Sequence, residues 1–283
     1  MQLYTVHAGN FKLDGGAMFG VVPKSIWHKL NPADSNNLCT WAMRCLLIED
    51  GNQLILIDTG IGDKQSTKFL SHYHIHGPQL QQSLQALGFH AADITDVVLT
   101  HLHFDHCGGA IEQGSNGWQP AFPNARFWSN AAHWQWATEP NDREKASFLP
   151  ENILPIHQTG QLQMLPVHRD GTLVNTSSLP QLNFRFAFGH TDAMLLPQIQ
   201  YKGHTIVYMA DLLPSIAHIP IPYVMAYDMF PLITLQEKQG FLQTALNNNY
   251  ILYLEHDPIH ECCTLQLTEK GIRVKDTFAL SSI

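Results

Sequence analysis

The sequence of 283 residues predicts an α/β fold in which buried strands carry polar side chains at their carboxyl ends. Residues 54–57 and 97–100 are apolar runs, rich in β-branched residues, that predict strands covered on both faces. Between them, residues 79–87 repeat leucine at helical spacing and are followed by glycine, which predicts a helix. Four potential metal ligands come directly after the second run, where open α/β sheets place their binding sites.

This ligand loop contains His101, His103, Asp105 and His106 within six positions. His101 and His103 are two residues apart in an extended loop, so their side chains are expected to point the same way. Asp105 and His106 are adjacent and point differently, so they suit a second ion nearby. Neutral imidazole and carboxylate bind divalent transition ions. We therefore predict a metal site here, against the alternative of a polar loop that is merely rich in histidine.

With 45% hydrophobic and 14% charged residues, the composition predicts a globular protein, and 283 residues suit one long domain or two small ones. We expect a single domain over residues 1–283. The net charge of −8 argues against a nucleic-acid partner. No basic region followed by an apolar region opens the sequence, and no apolar run reaches the ~20 residues of a membrane span. The odd number of five cysteines favours free thiols in a reducing compartment. We therefore expect a cytoplasmic protein.

The amino-terminal part begins with a predicted strand over residues 2–7 and continues into a glycine-bearing stretch, residues 14–23. This stretch is more apolar than an ordinary surface loop. With Met18, Phe19 and Trp27 it is expected either to line a substrate pocket or to form a hairpin packed on the core.

Two strands follow, over residues 40–48 and 53–58, and the Asp-Gly pair between them predicts a hairpin. The second strand ends at Asp58, within Asp-Thr-Gly. Asp58 is expected to support the ligand loop through hydrogen bonds, as carboxylates near metal ligands do. The alternative is a turn residue before the glycines that follow.

Several other residues are not predicted to bind metal. His72, His74 and His76 lack an acidic partner and are expected in a loop near the mouth of the site. Cys107 is expected to be a small packed residue beneath the ligand loop. The remaining histidines are predicted to be structural or surface groups: His133 in a helix over residues 130–137, His157 and His168.

The second half of the chain contains three further strands that each end in a ligand-type residue. Strands over residues 182–188, 205–210 and 250–255 precede His190, Asp211 and His256, respectively. One such residue after a strand is common, but three together with the ligand loop are not. The seven groups suit two metal ions, with a carboxylate, most simply Asp211, bridging them.

These motifs resemble the metallo-β-lactamase superfamily. The run Thr-His-Leu-His-Phe-Asp-His matches its H-x-H-x-D-H signature, and Asp58-Thr59-Gly60 resembles its upstream D-T-G element. The stretches at residues 14–27 and 212–228 look more like the branch of quorum-quenching lactonases and methyl-parathion hydrolases. The resemblance implies a four-layer αβ/βα sandwich of two mixed β-sheets with helices outside.

The resemblance also implies a ligand assignment by position. His101, His103 and His190 would bind the first ion, Asp105, His106 and His256 the second, and Asp211 would bridge them. The two divalent ions would be zinc, with iron or manganese as alternatives.

Three positions bear on the substrate or the site. Asp at position 211, where common zinc β-lactamases have Cys, argues against penicillin hydrolysis. Residues 192–194 are Asp-Ala-Met, where many relatives have Pro-Gly-His, so the second histidine is missing. Acyl-homoserine lactonases carry Tyr where this chain has Pro214, so Tyr223 or Tyr227 would have to serve instead.

The activity so implied is opening of a lactone or cleavage of a carboxylic ester, with a metal-bridging hydroxide as nucleophile. Asp105 would pass a proton to the leaving alkoxide. Hydrolysis of phosphotriesters or thioesters of small molecules, and a non-catalytic metal-binding effector, remain alternatives.

The apolar segment 212–230 is expected to set selectivity. It is predicted to wall a pocket with Ile219, Tyr223 and Tyr227, to bury a homodimer contact, or to pack in the core. A capping-box sequence at residues 234–237 predicts the start of a helix that runs to about residue 248. Residues 265–267 and 272–278 predict the closing strands.

Overall fold

The computed structural model describes residues 1–115 and 117–283. Its strands are β1 Gln2–Asp14, β2 Leu38–Asp50, β3 Gln53–Ile57, β4 Asp96–Val98, β5 Ile111–Gly114, β6 Gly117–Pro120, β7 Arg126–Asn130, β8 Leu162–Leu165, β9 Val174–Thr176, β10 Leu179–Ala187, β11 Met194–Tyr201, β12 His204–Tyr208, β13 Ile251–Tyr253, β14 Cys262–Thr268 and β15 Gly271–Phe278. Its α-helices are α1 Gly15–Phe19, α2 Lys24–Trp27, α3 Thr67–Ser71, α4 Leu80–Ala86, α5 Phe104–Cys107, α6 Ala131–Thr138, α7 Pro150–Gln158 and α8 Pro231–Asn247.

The chain forms two compact units. One comprises residues 1–10 and 43–168, and the other comprises residues 11–42 and 169–283, so the boundaries fall inside β1 and β2. The expectation of a single domain over residues 1–283 stays a prediction.

The first unit is built on a mixed sheet with the strand order β1-β2-β3-β4-β7-β8. β2 and β3 form the predicted hairpin, in which Asp50 pairs with Gln53 and Gly51 adopts a φ of 59°. β3 runs parallel to β4, with Ile57 opposite Val98. The residues that follow these two strands, Asp58 and the ligand loop, therefore leave the sheet at the same edge.

The second unit is built on a seven-stranded mixed sheet with the order β15-β14-β13-β12-β11-β10-β9. β11 is antiparallel to both β10 and β12, and β12 is parallel to β13. β10, β12 and β13 therefore run in the same direction, and their carboxyl ends lie at one edge. That topology explains how side chains more than 60 residues apart in sequence reach a common place.

Two details differ from the sequence-based expectation. The hairpin alternative for residues 14–23 is wrong, because β1 continues to Asp14 and the short helix α1 follows. The Asp14 side chain accepts a hydrogen bond from the backbone N–H of Ala17 and so caps that helix. The capping-box start at Thr234 is also wrong. Helix α8 begins at Pro231, which needs no N–H donor there, and this leaves Glu237 for another contact.

The other predicted elements are present with shifted ends. α4 buries Leu80 and Leu84, as the leucine repeat predicts, and β14 and β15 close the second sheet. None of the five cysteines forms a disulfide within the described residues. Across residues 1–115 and 117–283, no helix has both the length and the apolar character that crossing a membrane requires.

Candidate metal centre

The first unit presents a compact set of four ligand-type side chains just beyond β4. His103 is the N-cap of the one-turn helix α5, which carries Asp105 and His106. The imidazole ring of His101 lies with its centroid 4.5 Å from that of His103 and 3.9 Å from that of His106. His106 Nε2 is 3.9 Å from Asp105 Oδ2. The loop thus gathers these side chains in a largely buried place.

Asp58 ties this loop to the end of β3. One carboxylate oxygen accepts a hydrogen bond from the backbone N–H of Thr100 at 2.7 Å. The other accepts from the Thr100 hydroxyl at 2.6 Å and lies 3.1 Å from Nδ1 of His106. These contacts hold the His106 ring by one nitrogen, so Nε2 is the atom that would bind a metal ion. Asp58 thus contacts the ligand loop through hydrogen bonds, and its role in supporting a bound metal ion stays a prediction.

A second buried carboxylate, Glu144, orients His103 and was missed in the sequence. Glu144 Oε1 is 2.9 Å from Nε2 of His103, and its other oxygen accepts a 2.6 Å hydrogen bond from the indole N–H of Trp136. His103 would therefore bind a metal ion through Nδ1. Glu144 sits among charged neighbours and resembles a surface residue, so no local pattern identified it.

His133 contacts the middle of the ligand loop. Asn130 caps helix α6, and within its first turn the buried His133 ring accepts a 2.8 Å hydrogen bond at Nε2 from the backbone N–H of Leu102. His133 is thus a structural residue, as predicted, and it fixes the backbone between the predicted ligands His101 and His103.

Cys107 and Lys64 complete the support of the loop. Cys107 is buried and its thiol donates to the carbonyl of Leu102, while burial raises its pKa to about 12. It is the small packed residue that we expected. The Lys64 ammonium donates to the carbonyl of Gly108, and burial lowers the pKa of Lys64 to about 8.

The second unit presents His190, Asp211 and His256 at the edge described above. The Asp211 carboxylate lies between the two imidazoles: Oδ2 is 3.1 Å from Nε2 of His190, and Oδ1 is 3.1 Å from Nε2 of His256. All three side chains are less than a tenth exposed. One carboxylate with a different oxygen towards each ring has the arrangement of a bridging ligand.

Both rings are held from behind by their Nδ1 atoms. Nδ1 of His256 is 2.7 Å from the backbone carbonyl of Ala42, and Nδ1 of His190 is 2.8 Å from Oδ1 of Asp228. Sequence reasoning missed Asp228, although a lone carboxylate inside an apolar segment indicates a buried acid with a partner. Asp228 gives Nδ1 of His190 a hydrogen-bond partner in a chain that has methionine, and not histidine, at position 194.

Three non-glycine residues beside these side chains adopt positive φ. They are Asp58 at 58°, Ala193 at 56° and Ala210 at 41°. Left-handed backbone costs about 1–2 kcal/mol for a residue with a Cβ atom, and such strain gathers at functional sites. Ala193 occupies the position where many relatives of the resembled family have glycine, so the backbone conformation that glycine favours is retained without it.

Three of the residues expected to line a substrate pocket, Phe19, Trp27 and Tyr223, contact one another in the second unit. The Phe19 ring stacks on Trp27 with centroids 5.3 Å apart and meets the edge of Tyr223 at 6.4 Å. Met18, Phe19, Trp27 and Ile219 are at most 1% exposed, whereas Tyr227 is 37% exposed. Their roles in a pocket, like the dimer contact of segment 212–230, stay predictions.

His218 is the centre of this aromatic packing. Its ring stacks on Phe19 with centroids 4.8 Å apart. Nε2 is 2.9 Å from the carbonyl of Met18, and Nδ1 is 2.8 Å from the hydroxyl of Ser215. Burial lowers its pKa to about 3, so His218 is a neutral core residue.

The histidine group at residues 72–76 lies in the turn after α3. His76 pairs through its backbone with Asn10, and its Nδ1 is 2.9 Å from the carbonyl of His74. By contrast, the seven predicted ligands all belong to groups of His, Asp and Glu side chains that could hold a metal ion.

The family model of the metallo-beta-lactamase superfamily matches residues 44–256, about three quarters of the chain. An N-acyl homoserine lactonase of Bacillus cereus is 28% identical over 165 residues, which are 54% of this chain and 56% of that protein. The chain thus spans about half the length of the curated relatives it matches.

Solved structures resemble the whole chain. A probable metal-dependent hydrolase from Staphylococcus aureus is 26% identical with a TM-score of 0.87, covering 100% of this chain and 98% of that one. A dizinc quorum-quenching lactonase in complex with a product is 22% identical with a TM-score of 0.78, covering 98% and 95%. This likeness shows the fold, two mixed sheets flanked by helices. With three quarters of its length matched by the family model, the chain belongs to the metallo-β-lactamase superfamily.

Proposed function

We propose that the protein is a metal-dependent hydrolase that opens a lactone or cleaves a carboxylic ester with the help of two divalent ions. His101, His103, His190 and Asp211 would hold one ion, and Asp105, His106 and His256 the other, with Asp211 bridging. The observation that carries the proposal is the Asp211 carboxylate, which offers one oxygen to each of two imidazoles.

The donor set fits a pair of divalent ions. Five imidazoles and two carboxylates suit zinc, iron or manganese better than magnesium or calcium, which prefer oxygen ligands alone. Four of the five rings are held at the other ring nitrogen by a carboxylate or a backbone carbonyl, as is usual for metal-binding histidines: His103, His106, His190 and His256. Zinc is our first choice because a dizinc lactonase shares the fold.

When bound, such ions lower the pKa of water and polarise a carbonyl oxygen, so they supply a nucleophile and stabilise negative charge near neutral pH. The task of the protein is to hold the ligand atoms in place, and Asp58, Glu144 and Asp228 do so through the hydrogen bonds described above. Asp105 is 9% exposed and is the proposed donor of a proton to the leaving alkoxide.

Metal analysis followed by substrate screening tests the proposal. We expect the purified protein to contain two equivalents of divalent ion and to hydrolyse N-hexanoyl homoserine lactone, simple lactones or aryl esters. EDTA should abolish the activity. Asp211→Ala should lower it more than about a hundredfold, since loss of a ligand should exceed loss of an outer partner. Asp276→Ala, an exposed carboxylate of the same unit, is the matched control.

The same panel separates the alternatives. Faster hydrolysis of paraoxon or of a thioester than of every lactone and carboxylic ester would reassign the substrate class. Full metal loading without turnover of any substrate would favour the non-catalytic effector. Lactone turnover that survives both EDTA and Asp211→Ala would contradict the metal-dependent mechanism.

A further inference from the structure

Two adjacent ionisable residues on helix α8 contact the backbone segments that carry ligands of the second unit. Glu237 accepts hydrogen bonds from two successive N–H groups, that of Phe188 at 2.7 Å and that of Gly189 at 3.1 Å. These N–H groups belong to the turn between β10 and His190. A carboxylate that accepts two backbone N–H groups makes charge-assisted hydrogen bonds, which are stronger than neutral ones.

The start of α8 holds the same turn from its other side. The N–H of Phe230 donates to the carbonyl of Gly189 at 2.8 Å, and the N–H of Met229 donates to that of His190 at 3.0 Å. Gly189 leaves no room for a Cβ atom, which would collide with Thr234 of the helix. The position of His190 is therefore tied to the position of α8.

Lys238 holds a different segment. Its side chain is fully buried, and Nζ donates to the carbonyls of Pro220, Ile221 and Tyr223 at 3.2, 3.3 and 2.7 Å. These carbonyls belong to the segment that runs from the ligand Asp211 to Asp228, the partner of His190. An ammonium group donates three hydrogen bonds, so this cage uses all of its donors.

We propose that Glu237 and Lys238 are positioning residues, which fix the two backbone segments of the second unit that carry His190 and Asp211. This inference rests on the proposed metal centre and adds the helix that aligns its second-unit ligands. Neither residue touches a ligand side chain in the contacts described; each acts through the backbone.

The pKa values of Glu237 and Lys238 show that burial disfavours the charged form of both side chains. Burial raises the pKa of Glu237 to about 7 and lowers that of Lys238 to about 7, and the nearby Asp228 adds to the increase for Glu237. Placing an ionisable group inside a protein costs free energy unless the group is hydrogen-bonded, and both residues meet this requirement through backbone groups of the ligand-bearing segments. A methionine at position 238 would fill the same space without an ammonium group, but it could not gather three carbonyls.

Zinc affinity, together with the stability of the apo protein, tests the inference in the variants Glu237→Gln and Lys238→Met. We expect the affinity for zinc, measured by competition with a chelator, to fall about tenfold or more in each variant, as for other residues that orient metal ligands. The apo Tm should fall in both variants, because each substitution removes hydrogen-bond partners of backbone groups, so zinc affinity is the deciding measurement. Lys238→Arg should recover part of the affinity, because the guanidinium keeps the donors. Gln239→Ala, exposed on the same helix, should behave as wild type.

Zinc affinity within twofold of wild type in both variants would overturn the positioning role while leaving the proposed function intact. A wild-type protein that binds no divalent ion would overturn the proposed function itself, and this inference with it. If Glu237→Gln does not fold, Glu237→Asp, which keeps the charge but shortens the side chain, takes its place with the same measurements and the same deciding outcomes.

Discussion

The two units present the predicted metal ligands in two different ways. In the first unit, four predicted ligands lie within six residues on one loop and the start of one short helix. In the second, three predicted ligands follow three strands whose common direction brings their ends to one edge. The first arrangement is a local property of the chain, whereas the second exists only after a sheet has formed.

The hydrogen bonds that hold the predicted ligands are more alike in the two units than the positions of these ligands in the chain. In each unit a buried carboxylate outside the ligand set holds an imidazole: Asp58 and Glu144 in the first unit, and Asp228 in the second. Each unit also contains a buried histidine that is not a predicted ligand, His133 or His218. Hydrogen-bond partners, and not sequence spacing, distinguish these from ligands.

The largest change in folding stability is expected from the protonation of His218. It tests whether this buried histidine of the second unit is neutral. Its pKa is lowered from 6.5 to about 3 in the folded state, so the unfolded state binds the proton first as the pH falls. This contribution to stability is fully present above pH 6.5 and is lost towards pH 3, by about 5 kcal/mol at most. Denaturant unfolding of the apo protein across this range measures it.

His218→Phe is the control, since phenylalanine keeps the stack on Phe19 and cannot titrate. We expect wild type to lose more stability than this variant between pH 6.5 and pH 3. Parallel pH profiles for the two proteins would mean that folding does not lower the pKa of His218.

The next effect concerns Asp58, which serves the ligand loop of the first unit. Asp58→Ala removes the acceptor of the Thr100 N–H, the Thr100 hydroxyl and Nδ1 of His106, all of which are buried. We expect the free energy of unfolding of the apo protein to fall by about 3 kcal/mol or more. Urea unfolding measures this, and Asp63→Ala, an exposed residue of the same unit, is the control. A loss below about 1 kcal/mol would show that Asp58 acts as an ordinary turn residue.

A smaller effect compares the carboxylates that orient one imidazole in each unit. Glu144→Gln and Asp228→Asn keep the size of the side chain but remove its charge beside His103 and His190. We expect each to lower zinc affinity about 10–100-fold, because in both units a carboxylate orients the imidazole of a predicted ligand. Chelator competition measures it, with the exposed Asp142→Asn as control. A large effect in one variant and none in the other would show that the units contribute unequally.

The smallest effect concerns backbone strain near His190. Ala193 adopts a φ of 56°, similar to the φ of 68° at Gly60 of the first unit. Ala193→Gly should raise the free energy of unfolding by up to about 1 kcal/mol, and with it the Tm, since glycine adopts this conformation without a Cβ clash. The same change in a helix, Ala137→Gly, should lower it by a similar amount. If both changes destabilise, the Ala193 backbone is not strained.

The ligand loop and the strands before His190, Asp211 and His256 could be predicted from sequence because their signals are local. Apolar runs predict buried strands, and a strand ends where polar residues and glycine follow. Asp58 was also within reach, since it directly follows a predicted strand. Glu144 and His133 were not, because their partners lie more than 30 residues away and nothing in their neighbours marks them.

Glu237 shows how a local pattern misleads. Thr234 and Glu237 have the spacing of a capping box, yet Pro231 starts the helix one turn earlier and the Glu237 carboxylate binds the backbone of residues 188 and 189 instead. A capping motif competes with tertiary partners for the same carboxylate. Two N–H groups at the end of β10 provide the better partner.

Residue types and their spacing were enough to identify the candidate metal ligands, the strands that precede them, and the family that the chain resembles. Only the folded chain shows how the rings are oriented, through Asp228, Glu144 and the carbonyl of Ala42, and which buried histidines pack in the core. This is because the identity of a ligand depends on its own side-chain chemistry, whereas its orientation depends on hydrogen bonds to residues distant in the chain.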